Sequence, residues 1–253
     1  MTSGAETLRE KAYRLMNEYE ALGLRPGGEA AYAEGMLAYK QLLAEHPENA
    51  AVHLEYGYLQ ECHGRNLIRA AAGCYERAIE LDPDWDKPHY MLISARGGLA
   101  ESERVVDLYK ERLAAAPDQI REYRFLAGAY LRSGGLDEAR KVIAAGRKLE
   151  PDDDMLLAAE AEVLDASGHR EEALAAWRRL KERDPDNLSP YYMSAFTLEA
   201  LGRYQEAAAE WHHIIAWLEE RDMAVHTTWP KEMLAGIEAR VAAADTDPGD
   251  AGR

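Results

Sequence analysis

Five prolines recur along the chain at a nearly constant spacing, each just after a run of residues with helical periodicity. They are Pro47, Pro83, Pro117, Pro151 and Pro185, so the spacings are 36, 34, 34 and 34 residues. Proline cannot continue an α-helix, and it disfavours helical geometry in the residue before it. A period near 34 residues that ends in a helix breaker predicts an array of helix–turn–helix repeats.

The residues within one period predict two helices. In residues 154–187, Gly168 separates two apolar-periodic segments, and Ala173, Trp177 and Leu180 share one face of the second. Small residues return at the same offsets in the neighbouring periods, which is typical of helices that cross closely. Those residues are Gly134, Ala139 and Gly146 before this period, and Gly202 and Ala207 after it.

This pattern resembles the tetratricopeptide repeat family, whose repeat has characteristic residue types at fixed positions. The residues that match it in the period starting at Ile120 are Tyr123, Leu126, Ala127, Tyr130, Gly134, Ala139, Ile143, Gly146 and Pro151. The resemblance implies an all-α fold, a right-handed α-solenoid of about six helical hairpins closed by a C-terminal capping helix.

We expect one superhelical domain over residues 1–244 and a disordered tail over residues 245–253. The predicted repeat units are 9–49, 50–85, 86–119, 120–153, 154–187 and 188–221, followed by a capping helix at 230–244. Thr228 is a plausible N-cap of that helix, Pro230 suits its first turn, and Leu234, Ile237 and Val241 form its apolar stripe.

The early units depart from the family pattern. The unit 9–49 carries about seven extra residues around 25–28. The unit 50–85 matches through Gly57, Gly64, Ala71, Tyr75 and Ala78, with two extra residues between its predicted helices. The unit 86–119 has Arg96 and Ala100 where the pattern has Tyr and Gly. Terminal repeats of such arrays often diverge because one side faces solvent.

Composition restricts the partners. Apolar residues make up 47% of the chain, enough for a continuous core, and the net charge is −16. Such an acidic surface repels nucleic acids and anionic membranes, so we expect neither as a partner. Cys62 and Cys74 are expected to be free thiols, and we expect neither a leader nor a membrane-spanning stretch. The expected location is cytoplasmic.

The sequence carries no motif that indicates catalysis, and we predict that the protein is not an enzyme and holds no cofactor or metal. It has no phosphate-binding glycine loop, zincin helix or nucleophile elbow. Adjacent residues on a helix point about 100° apart, so the His212–His213 and Cys62–His63 pairs are poor metal or catalytic pairs.

The resemblance implies that a protein or peptide lies on the concave face, at positions 2, 5, 9, 12 and 13 of each repeat. The candidate binding residues are Tyr13, Asn17, Leu54, Tyr58, Lys87, Tyr90, Ser94, Arg121, Arg124, Arg132, Glu162, Tyr192 and Phe196. Family members that bind chaperone tails hold a carboxylate with Lys at position 5 and Asn at position 9. Only Asn17 matches here, so a chaperone-tail clamp is not expected.

The basic residues of this set allow two interpretations. Arg121, Arg124 and Arg132, joined by Lys87, could receive an acidic group or a C-terminal carboxylate of a partner. Alternatively they pair internally with Glu162 and Asp165.

The aromatic residues also allow two interpretations. Tyr58, Tyr90, Tyr192 and Phe196 either pack between helices or line the groove. We expect exposure for Tyr90 and Tyr192, and a peptide anchored by Tyr90, Arg124 and Tyr192.

A second functional hypothesis is a self-associating scaffold, and thus a homo-oligomer. Trp211, Trp217 and Trp229, with neighbouring Ile and Leu residues, supply more apolar surface than one capping helix needs to cover. The competing interpretation is that the cap buries all three tryptophans. A small-molecule site is the least favoured hypothesis, because no convergent set of polar residues is present.

Overall fold

The computed structural model describes residues 6–246, with side chains described through residue 242. Over these residues the chain is all-α, with twelve α-helices and a short 3-10 turn at Ala224–Thr227. The helices are α1 Leu8–Leu22, α2 Gly28–Glu45, α3 Ala50–Leu81, α4 Asp86–Gly98, α5 Ser102–Ala115, α6 Ile120–Ser133, α7 Leu136–Leu149, α8 Asp154–Ala166, α9 Arg170–Arg183, α10 Ser189–Ala200, α11 Tyr204–Glu220 and α12 Thr228–Thr246. The predicted all-α class is confirmed.

The chain divides into two compact units, residues 1–105 and residues 106–253, with the boundary inside α5. The predicted limits of a single domain over residues 1–244 stay a prediction. Residues 245 and 246, assigned above to a disordered tail, end α12, and residues 247–253 lie outside the described part of the chain.

The second unit contains three helical hairpins in sequence, α6–α7, α8–α9 and α10–α11. Each hairpin turns at a glycine with a positive φ angle, namely Gly134, Gly168 and Gly202. Glycine adopts this left-handed conformation without the steric cost that a Cβ would impose. The helices cross closely: a Cβ on Gly146 would lie 2.9 Å from Cβ of Tyr123 on the partner helix, so only glycine fits there.

The capping helix begins two residues before the predicted start, since Thr228 is the first residue of α12. Leu234 and Ile237 of α12 are buried against α11, in a cluster that includes Trp211, Ile214 and Leu218.

The first unit opens with a hairpin of α1 and α2. Thr7 caps α1 by accepting a hydrogen bond from the backbone N–H of Glu10, and the Glu10 carboxylate accepts one from the N–H of Thr7. The extra residues between α1 and α2 form a tight loop. A Cβ on Gly28 would lie 1.9 Å from the carbonyl oxygen of Gly23, so the loop requires glycine at position 28.

The structure corrects the prediction for residues 50–85. Instead of two helices that turn near Gly64, this segment forms one continuous helix, α3, of 32 residues. Asn49 caps it, accepting from the N–H of Val52 at 3.3 Å. Helix α3 contains no proline, and a glycine inside a helix costs only about 1 kcal/mol relative to alanine. Gly64 alone therefore does not force a turn.

The two departures in unit 86–119 have distinct structural roles. Arg96 is buried, and its guanidinium group bridges Glu76 of α3, at 2.6 Å, and Glu101. Ala100 lies where the hairpins of the second unit have glycine, and its φ angle is +57°. An alanine in this left-handed region is strained by about 1–2 kcal/mol.

Candidate binding surface

Three partly exposed aromatic rings lie together at the C-terminal end of the second unit. Tyr192 and Phe196 are one turn apart on α10, so their side chains share one face. Trp229, in the first turn of α12, contacts both, with ring centroids 5.9 Å from Tyr192 and 6.1 Å from Phe196. We call Tyr192, Phe196 and Trp229 the aromatic patch.

A fourth aromatic ring, which is buried, packs against all three rings of the aromatic patch. Trp211 of α11 is fully buried, and its ring meets those of Tyr192, Phe196 and Trp229 edge-on at centroid distances of 5.6, 5.5 and 5.4 Å. Edge-to-face pairs are favourable, so these contacts fix the positions of the three rings in the unbound protein. Burial raises the pKa of the Tyr192 hydroxyl.

The aromatic patch remains accessible to solvent. Trp229 is 48% exposed and Phe196 is 37% exposed, while Tyr192 is half-buried. Sequence reasoning named Tyr192 and Phe196 as candidates but did not place Trp229 beside them. The interpretation that the capping helix buries all three tryptophans is wrong, because only Trp211 is fully buried.

Trp217 is covered by its neighbours. Its indole N–H donates to Asp186 at 3.1 Å, and the guanidinium group of Arg221 lies 4.0 Å from the ring centroid. Arg221 also pairs with Asp186 at 2.6 Å. This arrangement leaves Trp229 as the most exposed of the three C-terminal tryptophans.

The predicted basic cluster on α6 is engaged within the second unit. The Arg124 guanidinium group binds the buried carboxylate of Asp153, with Nε donating to Oδ2 at 2.9 Å. Asp153 also caps α8 by accepting from the N–H of Leu156 at 2.7 Å. The internal-pairing interpretation therefore holds for Arg124, but with Asp153 as the partner in place of Glu162 or Asp165.

The other charged candidates of the second unit lie near residues of opposite charge. Arg121 lies 3.6 Å from Glu122, which also receives two hydrogen bonds from Arg112. Asp165 lies 3.6 Å from Arg170. Glu162 is exposed on α8. Partial desolvation by neighbouring atoms raises the pKa of its carboxyl, and the positive charge of Arg132 acts in the opposite direction.

The candidate binding residues of the first unit do not form a cluster like the aromatic patch. Tyr13, Asn17, Leu54 and Lys87 are exposed, with Leu54 at 74%. Tyr58 is half-buried and donates to Glu20 at 2.8 Å, a hydrogen bond that raises the pKa of its hydroxyl to about 12. Tyr90 is half-buried and Ser94 is exposed. A joint role of Tyr90 with Arg124 and Tyr192 stays a prediction.

The histidine pairs have partners of other kinds. His213 stacks on Tyr191 at 4.1 Å between centroids, while Nε2 of His212 lies 3.6 Å from Glu238. His63 stacks on Tyr32 and contacts the Tyr19 hydroxyl at 2.8 Å. Among the described residues, no group of three His, Cys, Asp or Glu is arranged to hold a metal ion.

Within residues 6–246, no helix is both long and apolar enough to span a lipid bilayer.

Comparison with solved structures identifies the fold. TTC0263, a thermophilic TPR protein of Thermus thermophilus, superposes with a TM-score of 0.50 at 17% identity, covering 88% of this chain and 98% of that chain. The Cut9–Hcn1 hetero-tetramer of the APC/C gives a TM-score of 0.51 at 12% identity, covering 95% of this chain and 50% of that chain. The chain has the tetratricopeptide-repeat fold. No protein-family model and no curated protein matches the sequence.

Proposed function

We propose that this protein is a non-catalytic interaction scaffold, and that its second unit binds a segment of another protein through the aromatic patch. The observation that carries the proposal is the exposure of Phe196 and Trp229 above the buried Trp211. Rigid aromatic side chains with solvent-facing surface are frequent anchors of protein interfaces, because they bury much area and lose little conformational entropy.

The partner segment we propose places an apolar side chain on the aromatic patch. The basic cluster on α6 is less suited to be the main anchor, since a partner's carboxylate would compete with Asp153 for Arg124. That Asp153 carboxylate is buried, so losing its cation would leave an unpaired buried charge. An acidic contact to Arg121 or Arg132 remains a secondary part of the proposal.

The structural comparisons support the scaffold class only through the repeat architecture, because a fold does not determine a function. Two further solved structures have names that mention a binding site or a complex: YrrB, "a TPR protein with an unusual peptide-binding site", and the TPR2AB domain of yeast Sti1 in a complex with pHSP90. Both have TM-scores below 0.5, so the proposal rests on the aromatic patch and not on them.

Peptide selection tests the proposal directly. A displayed library of random peptides is selected against the full chain, and enriched peptides are titrated while tryptophan fluorescence is recorded. We expect selected peptides to share an apolar residue, and Phe196→Ala to weaken their binding by at least about tenfold, as truncating a hot-spot residue does. Trp229→Phe should remove most of the fluorescence change.

A matched control is Val225→Ala, because Val225 is apolar, 80% exposed and outside the aromatic patch. This variant should bind the peptides as the parent chain does. Peptides that bind Phe196→Ala and the parent equally would contradict the proposal, and so would a library that yields only acidic peptides whose binding depends on Arg121 or Arg132.

A further inference from the structure

Three repeat positions form the crossing of the two helices in every hairpin of the second unit. Position 8 lies on the first helix, and positions 20 and 24 lie on the second. The residues there are Ala127, Ala139 and Ile143 in α6–α7, Ala161, Ala173 and Trp177 in α8–α9, and Ala195, Ala207 and Trp211 in α10–α11. All nine are buried. Burial at these positions is therefore the mark of a completed crossing.

Helix α3 carries residues at the same three repeat positions, but these residues do not contact one another. Allowing for the two extra residues, positions 8, 20 and 24 are Gly57, Ala71 and Tyr75. Gly57 is exposed, with no atom within 4 Å of the place where a Cβ would lie, and Ala71 and Tyr75 are only half-buried. In a continuous helix, 14 residues span about 21 Å, so Gly57 and Ala71 cannot touch within one α3.

Each half of α3 is held by a different part of the first unit. Val52, Leu59 and Cys62 of the first half are buried in the core formed with α1 and α2. The second half packs on α4, where Glu76 pairs with Arg96 at 2.6 Å. Between them, Leu67 and Ile68 are 48% and 40% exposed. The unmade crossing thus leaves exposed apolar surface near the middle of α3.

We propose that two copies of this chain pair through α3, in antiparallel orientation, so that the first half of each α3 packs against the second half of the other. In a formed hairpin, the first half of this repeat would pack against the second half. The surface that fits the first half of α3 is therefore the second half of the same helix, which a second copy of the chain also carries. A two-fold axis near the middle of α3 satisfies both halves at once, and both crossings become complete.

Closing the hairpin within one chain is the competing arrangement. It requires a turn near Gly64, which lies within the unbroken helix α3, whereas Gly168 and Gly202 adopt the left-handed conformation of a turn. A straight α3 retains the backbone hydrogen bonds that such a turn would break. Exchange between two copies keeps those bonds and still buries the crossing residues, which is why we assign the surface to a second copy.

A designed disulfide distinguishes the arrangements. Gly57→Cys and Ala71→Cys are combined in a chain whose own thiols are removed by Cys62→Ala and Cys74→Ser, and the protein is oxidised mildly. We expect a covalent dimer on a non-reducing gel, because positions 57 and 71 meet only between copies. A bond within one chain, which a closed hairpin would give, contradicts the proposal, and so does the absence of any bond.

The reference variant is Ala161→Cys with Ala173→Cys in the same background, which occupies positions 8 and 20 of a formed hairpin. It should form its disulfide within one chain. For the unmodified protein, light scattering should give the mass of two chains, falling to that of one on dilution. The mass of one chain at every concentration would overturn the proposal.

Variants at the middle of α3 compare a continuous helix with a broken one. Gly64→Ala keeps α3 continuous, because helix propensity rises and no atom of the same chain lies within 4 Å of the new Cβ, so this variant should dimerise as the parent does. Gly64→Pro breaks the helix and should convert the dimer to monomer. Equal dimerisation of both variants and the parent would refute the role of α3. Phe196→Ala should leave the mass unchanged, which separates this inference from the peptide-binding proposal.

Discussion

The α8–α9 hairpin and helix α3 are two outcomes of nearly the same repeat. Both end at a proline of the periodic series, and both carry small residues at the crossing positions. In α8–α9 the chain turns at Gly168 and buries Ala161 and Ala173, whereas α3 runs straight and leaves Gly57 exposed. The comparison teaches that prolines set the period, while the turn inside each period depends on local residues.

Truncation of the aromatic residue at position 24 should have the largest effect. Trp177→Ala empties a fully packed site in α8–α9 and should lower the free energy of unfolding by about 3–5 kcal/mol. Tyr75→Ala, at the same position of α3, should cost about 1 kcal/mol in dilute protein, because its ring is only half-buried. Urea unfolding followed by circular dichroism measures both. Equal losses would mean that the α3 crossing is already closed in single chains.

Glycine-to-alanine substitutions should have opposite signs in the two regions. Gly146→Ala places a Cβ 2.7 Å from Leu156 and 2.9 Å from Tyr123, so overpacking should destabilise the hairpin by about 1–3 kcal/mol. In dilute protein, where α3 is unpaired, Gly57→Ala meets nothing and should stabilise α3 by up to about 1 kcal/mol through helix propensity. Thermal unfolding of the two variants at that dilution compares them, and a loss of stability in Gly57→Ala would show that α3 of a single chain is packed on this face.

The smallest effect is expected at the turn position that follows the first helix of a hairpin. Ala100→Gly relieves a left-handed alanine and should raise stability by about 0.5–1 kcal/mol. Gly168→Ala introduces the same strain, with free space around the new methyl group, and should lower stability by about 1 kcal/mol. Denaturant midpoints at unchanged slope provide the measurement. Changes of the same sign at both sites would contradict the assigned backbone conformations.

Much of the fold could be predicted from the sequence, because the signals are local. Proline spacing, glycine at the turns and small residues at the crossings indicated hairpins such as α8–α9, and the apolar stripe of Leu234 and Ile237 indicated the capping helix. The continuity of α3 was missed because Gly64 occupies the position at which the repeat pattern has its turn glycine. The modest cost of each glycine within a helix is outweighed by the hydrogen bonds that a turn would lose.

The candidate site was harder to predict because its members are far apart in the sequence. The repeat register placed Tyr192 and Phe196 on one face, but Trp229 follows Phe196 by more than thirty residues and reaches it only through α11 and the 3-10 turn. The sequence analysis paired Arg124 with Glu162 and Asp165 because these two residues lie on the first helix of the next repeat. Asp153 was missed, since an N-cap residue is expected to bind backbone N–H groups rather than a side chain.

The position of Trp229 at the very start of α12 has a practical consequence for dissecting the protein. A shortened form that stops after α11 would retain every hairpin of the second unit, yet it would lack one ring of the aromatic patch and would uncover the edge of Trp211. Such a fragment could give a normal helical spectrum and still fail to recognise a ligand. Fragments made to map recognition in this protein should therefore extend beyond the last repeat.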